Sequence, residues 1–90
     1  MAFTDDEIAQ LYARYAPVLY HRCLAILRDE QEAADALQDT FAKVIQRADD
    51  FRAQSSPLTW MYAISTHRCL NQLRDRRARA QKLRDHAGEL

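Results

Sequence analysis

One glycine and two prolines among 90 residues leave too few turn formers for a protein of many hairpins, which excludes a mainly β or collagen-like chain. Two cysteines are too few for a disulfide-stapled scaffold and point to a reducing, cytoplasmic setting. The N-terminus opens on acidic residues instead of a charged-then-apolar leader. No apolar run approaches the ~18–20 residues that a membrane span requires. Also lacking are a Gly-rich phosphate loop, a metalloprotease helix motif and a nucleophile elbow. Most carboxylates fall at helix starts, where the helix dipole accounts for them. The chain is therefore read as a non-enzyme with no cofactor and no metal.

What is present is the material of helices. Ala, Arg, Leu and Gln, all strong helix formers, are abundant, and 48% hydrophobic with 29% charged residues is the composition of a small globular domain. Thr4 to Glu7 reads as a capping box, with Phe3 and Ile8 at the positions of a hydrophobic staple. Ile8, Leu11, Tyr12, Tyr15, Val18, Leu19, Cys23, Ile26 and Leu27 then recur at helical spacing. Pro17 interrupts that stripe, predicting a kink or two helices that meet near Ala16. Asp29 with Glu32 marks a second helix start. Ala34, Leu37, Phe41, Val44, Ile45 and Ala48 make its stripe, ending near Asp49. Residues 50–56 lack any period and read as the internal loop. Ser56 before Pro57 starts a third helix, whose stripe runs Trp60, Ile64, His67, Leu70 and Leu73 to about Arg79. From Lys82 to Leu90 apolar content is weak and the chain is expected to fray. The fold class is all-α, a compact bundle of three to four helices.

The formal net charge of zero hides an asymmetry. Met1 to Phe51 carries five basic and ten acidic residues; Arg52 to Leu90 carries eight and three. The halves are either ordinary solvated faces or two contact surfaces, one for a polyanion and one for a basic partner. The string HRCL occurs twice, at His21 and at His67. Within a helix, residues two apart point in nearly opposite directions, so neither His-x-Cys pair chelates zinc. The repeat is read as coincidence, with His67 and Cys23 filling core.

The basic C-terminal helix is the leading functional feature. Arg68, Gln72, Arg76 and Arg79 share one face, opposite the apolar stripe, and such a row can track phosphates. Just before it, Arg52, Gln54, Ser55, Ser56, Trp60 and Tyr62 gather polar donors and aromatics beside cations, which suits unstacked single-stranded bases. Trp60 is either core or a stacking platform. On the second helix Asp35, Gln38 and Asp39 form a carboxylate and amide patch beside Leu37 and Phe41, able to receive arginines from a partner helix or to be simply solvated.

Three strings in order, Leu11–Pro17 (LYARYAP), Ala34–Phe41 (ADALQDTF) and Phe51–Ile64 (FRAQSSPLTWMYAI), resemble region 2 of bacterial sigma factors of the extracytoplasmic-function (ECF) type. The resemblance extends from about Ile8 to Arg79. It implies a domain of transcription initiation in which the middle helix docks on the clamp coiled coil of the β′ subunit of core RNA polymerase. That role falls on Asp35, Leu37, Gln38, Asp39 and Phe41. It further implies that the loop captures a base flipped from the non-template strand of the minus-ten promoter element, and that the following helix supports the melted junction and follows the backbone. The implied DNA-binding residues are Arg52, Gln54, Ser55, Ser56, Trp60, Arg68, Asn71, Arg76 and Arg79, with Gln54, Ser55 and Ser56 setting base preference. An anti-sigma partner is a further family expectation. Primary sigma factors carry a stacking aromatic and a second tryptophan where Pro57 and Met61 stand, a departure that implies weaker melting and stricter promoters; many relatives carry arginine where Ala63 stands, a departure that removes one backbone contact expected of the family. On this pattern residues 1–80 form the region 2 domain, and 81–90 a frayed tail or the start of a linker to an absent region 4. The competing class is a helical interaction module without DNA binding.

Overall fold

The computed structural model describes residues 3–51 and 55–89. It holds α1 (Asp5–Leu27), α2 (Glu30–Gln46), a short 3-10 turn (Ala48–Asp50) and α3 (Pro57–Glu89), so the all-α expectation holds with three helices. Each helix packs on the other two. Among the described residues no helix is long and apolar enough to cross a membrane.

Local chemistry sets the boundaries. The capping box forms at the start of α1, the Thr4 hydroxyl accepting from the Glu7 amide at 3.2 Å and the Glu7 carboxylate accepting from the Thr4 amide at 3.1 Å. Arg28 closes α1 in the left-handed region at φ 57°, its amide donating to the Leu24 carbonyl at 2.8 Å. Glycine usually takes that position, but the chain's one glycine is at 88. Asp29 then caps α2 by accepting from the Glu32 amide at 2.8 Å. Of the two outcomes expected at Pro17, a kink or two helices, the second is not seen: α1 runs as one helix from Asp5 to Leu27 through the proline. The proline ring lies on an exposed side of the helix, and buried residues on either side of it, Ile8 before and Leu19 and Cys23 after, hold both halves to the same core. At the other end α3 continues to Glu89, beyond the Arg79 at which its stripe was expected to end, with residues 81–88 all exposed. This extension gives the molecule its long dimension of 56 Å.

The core has two layers. The larger joins Leu19, Leu37, Phe41, Val44, Met61 and Ile64, flanked by Leu11, Tyr15, Tyr20, Leu58 and Trp60. The smaller, at the α1–α2 turn, is Cys23, Leu27, Ala33, Ala36 and Cys69; small residues there let the backbones approach. Buried hydroxyls are satisfied within their own helices, Thr40 donating to the Ala36 carbonyl at 2.7 Å and Ser65 to the Tyr62 carbonyl at 3.1 Å.

The stripe of α3 differs from its expected register. Met61, Ile64, Ser65 and Cys69 are buried, whereas His67 and Leu70 are exposed, so His67 does not fill core. The buried arc of α3 packs on both α1 and α2, with Met61 and Ile64 in the larger layer and Cys69 in the smaller. Tyr12, Val18 and Ile45, also placed on stripes by spacing, are exposed.

The two HRCL strings meet in space. Their cysteines, both free, sit fully buried in one cluster, and Arg22 of the first string donates to Thr66 at 3.4 Å. Burial raises both thiol pKa values; Cys69, also accommodating its Cys23 neighbour, is pushed from 9.0 up to about 12. In the unfolded chain the Cys69 thiol loses its proton near 9, so the bundle's advantage is whole below pH 9 and erodes as pH rises towards 12. Urea midpoints should fall across that window and fall less steeply in Cys69→Ala; parallel pH profiles would refute this linkage.

Candidate nucleic-acid interface

Phe51 anchors the near side of the loop between two rings, stacked on Phe3 at 5.3 Å and tilted against Trp60 at 5.1 Å. Trp60 is half-buried beside the larger core layer, which makes it a wall rather than a free platform. On the far side Ser56 starts α3: its hydroxyl accepts from the Thr59 amide at 3.1 Å and lies 2.9 Å from the Thr59 hydroxyl. Ser55 donates to the Ser56 carbonyl at 3.4 Å. The Ser56 hydroxyl is thus engaged in the helix cap, while Ser55 stays exposed at the loop edge. Arg52 and Gln54 lie outside the described residues.

Next to this corner α2 and α3 enclose an open cleft of about 380 Å³ lined by Lys43, Arg47, Trp60, Ala63, Ile64 and His67. Lys43 and Arg47 are one turn apart on α2; Trp60, Ile64 and His67 follow at helical spacing on α3. Asn71 continues that line, its amide 3.5 Å from His67 Nδ1. The cleft is lined by two cations, an imidazole, an indole and aliphatic carbon, with no carboxylate among its lining residues. A flat, electron-rich ring carried on an anionic backbone fits that set. Spacing alone does not mark Lys43, Arg47 and His67 as site residues. The available signal was a basic pair four residues apart closing an otherwise acidic helix, just ahead of the loop.

The arginine row of α3 is divided between two environments. Arg68 Nε donates to Asp39 at 2.8 Å and Arg68 Nη1 to Gln72 at 3.1 Å; Gln72 donates in turn to Glu32 at 3.3 Å, and Arg76 pairs with the other oxygen of Glu32. These residues form a polar ladder between α3 and α2 instead of a row open to solvent along its length. Arg79 stands beyond the ladder and is exposed, as are Arg74 and Arg77.

The ladder also divides the acidic patch. Asp35 and Gln38 are exposed, and Asp35 accepts from Gln31 at 3.2 Å, whereas Asp39 faces Arg68. Leu37 and Phe41 lie buried beneath, Phe41 edge-on to Tyr12 at 4.8 Å, and fix the helix that displays the patch.

The model of the sigma-70 region 2 family matches residues 11–79, a span that contains the loop, the cleft, the ladder and the acidic patch. The chain belongs to the sigma-70 region 2 family. Three Bacillus subtilis (strain 168) proteins are similar to it. RNA polymerase sigma factor YlaC is 33% identical over 66 residues, covering 73% of this chain and 38% of that protein. ECF RNA polymerase sigma factor SigX is 26% identical over 79 residues, 88% of this chain and 41% of its own length. ECF RNA polymerase sigma factor SigW is 26% identical over 73 residues, 81% and 39% respectively. This region 2 chain thus spans about two fifths of the length of these relatives. No solved structure matches it at comparable stringency.

Proposed function

We propose that this domain acts in transcription initiation in the cytoplasm, docking on the β′ clamp of core RNA polymerase through Asp35, Gln38 and Asp39 and engaging the melted non-template strand of the minus-ten element along the α2–α3 edge. A flipped base enters the cleft against Trp60, with Lys43, Arg47, His67 and Asn71 around it and Ser55 at the described edge of the loop; Arg52 and Gln54 are proposed to contact the DNA on the family resemblance alone. Arg79 and its neighbours on α3 attract the backbone farther along, and Arg68 and Arg76 join them. Unstacking a base costs a few kcal/mol, offset by burial in the cleft and by phosphate attraction. The step is binding and melting, with no bond made or broken and no cofactor.

The observation that carries this reading is the cleft: a basic, aromatic-walled recess of about 380 Å³ beside the loop, inside the matched region. The measurement is fluorescence anisotropy of a labelled single-stranded minus-ten oligonucleotide against salt. Binding should weaken steeply with salt, and Lys43→Ala with Arg47→Ala should lower the slope of log K against log salt by roughly 1.4, about 0.7 for each lost phosphate contact. A slope that the double variant leaves unchanged would move the DNA path elsewhere.

A partner-covered face belongs to the same reading. Asp5, Ile8, Ala9, Tyr12, Phe41 and Ile45 line a second recess of about 320 Å³ between α1 and α2, and Tyr12 and Ile45 are large exposed apolar side chains. This is the feature that favours a helical interaction module or an anti-sigma partner. Retained protein binding with no salt-dependent DNA affinity would select the interaction module alone.

A further inference from the structure

The ladder between α2 and α3 puts carboxylates where a nucleic-acid backbone would put phosphates. Arg68 and Arg76 are two turns apart on α3, and each already holds an oxyanion, Asp39 and Glu32 respectively. Gln72 between them donates to Glu32 while accepting from Arg68, so the four groups form one connected array. Neither pair is sealed from water. The side chains of Arg68 and Asp39 are 21% and 54% exposed, and those of Arg76 and Glu32 are 42% and 32% exposed. Both pairs keep at least one partner in contact with water, and ion pairs screened in this way contribute little net stability, so a phosphate can compete for the guanidinium groups.

Building on the DNA-binding reading above, we propose that Glu32 and Asp39 act as internal counter-anions that occupy Arg68 and Arg76 and hold down the domain's affinity for the phosphodiester backbone. A strand that follows α3 has to displace two carboxylates before its phosphates reach these guanidinium groups. Arg79, exposed beyond the ladder, gives the strand an initial contact without that exchange. The domain alone therefore binds nucleic acid more weakly than its arginine count suggests, and its selectivity leans on the cleft and loop.

The test is anisotropy of the full chain with a labelled single-stranded oligonucleotide, comparing wild type with Glu32→Gln and Asp39→Asn. Glu30→Gln is the control: it makes the same change in net charge on an exposed residue of α2 outside the ladder. Glutamine at 32 can still accept from Gln72 and Arg76, so the fold is kept, as circular dichroism would verify. Each ladder variant should bind about two- to five-fold more tightly than the control, the range set by the free energy of an exposed ion pair. Each should also show a salt slope steeper by roughly 0.7, the signature of one more phosphate contact. If both variants bind only as tightly as Glu30→Gln, the counter-anion role is overturned while the DNA-binding reading stands. If neither wild type nor any variant binds the oligonucleotide at low salt, the DNA-binding reading falls and takes this inference with it.

Discussion

On the proposed function, Asp35→Arg should abolish docking on core RNA polymerase and leave the bundle folded. The two effects separate because of where Asp35 sits. It is exposed on α2, and its hydrogen bond is with Gln31 on the same helix, at 3.2 Å. The contacts that hold α2 in place come from the opposite side, from Ala33, Ala36, Leu37, Phe41 and Val44. Surface substitutions of this kind shift stability by about 0.5 kcal/mol or less. At a basic partner surface the cost is of another order, because an attraction is replaced by a like charge that must be desolvated, about 2–5 kcal/mol. That corresponds to roughly a 30- to 5,000-fold rise in Kd. Asp39→Arg would be the poorer choice, since it also breaks the contact with Arg68 at 2.8 Å and would mix two effects. Titration of labelled chain against core polymerase decides the matter, with a thermal melt alongside. Saturable binding of unchanged affinity in the variant would remove the α2 patch from the docking site.

How far the molecule could be read in advance depended on whether a feature was local. The capping box at Thr4 and Glu7 and the caps at Asp29 and Ser56 are contacts over three residues, and each was legible from residue type and spacing. So was the stripe of α2, where Leu37, Phe41 and Val44 are all buried. At Pro17 the alternative of two separate helices did not form, because packing on both sides of the proline outweighs its local breaking tendency. The stripe of α3 differs in register. His67 and Leu70 fall on the stripe by spacing but are exposed, and the residues of α3 that α1 and α2 bury are Met61, Ile64, Ser65 and Cys69. At the candidate site, Asp35, Gln38 and Trp60 could be named from type and spacing. The pairing of Arg68 with Asp39 spans 29 residues and that of Arg76 with Glu32 spans 44, distances over which periodicity carries no information. The cleft was invisible for the same reason, since Lys43 and Arg47 become its wall only when α3 brings Trp60 and His67 alongside.

The packing that creates these juxtapositions should depend most sharply on Leu19. Its side chain is fully buried at 0% exposure, among the largest so enclosed. It belongs to the layer where α1 meets Leu37, Phe41 and Val44 of α2 and Met61 and Ile64 of α3. Leu19→Ala removes apolar surface and leaves a cavity bordered by all three helices, at a cost of about 2.7–5 kcal/mol. A 90-residue domain has only about 5–13 kcal/mol to lose, at roughly 0.05–0.15 kcal/mol per residue. The variant should therefore lose between a fifth and nearly all of its stability, read as a fall in urea midpoint with an unchanged m-value. Because the cleft is assembled from α2 and α3 around the same layer, oligonucleotide affinity should fall in parallel with the folded fraction. Leu83→Ala, at a side chain 71% exposed on the projecting end of α3, should shift the midpoint by about 0.5 kcal/mol or less. Comparable losses at both positions would mean that the projecting turns of α3 share the cooperative unit and that the two core layers alone do not hold the bundle together.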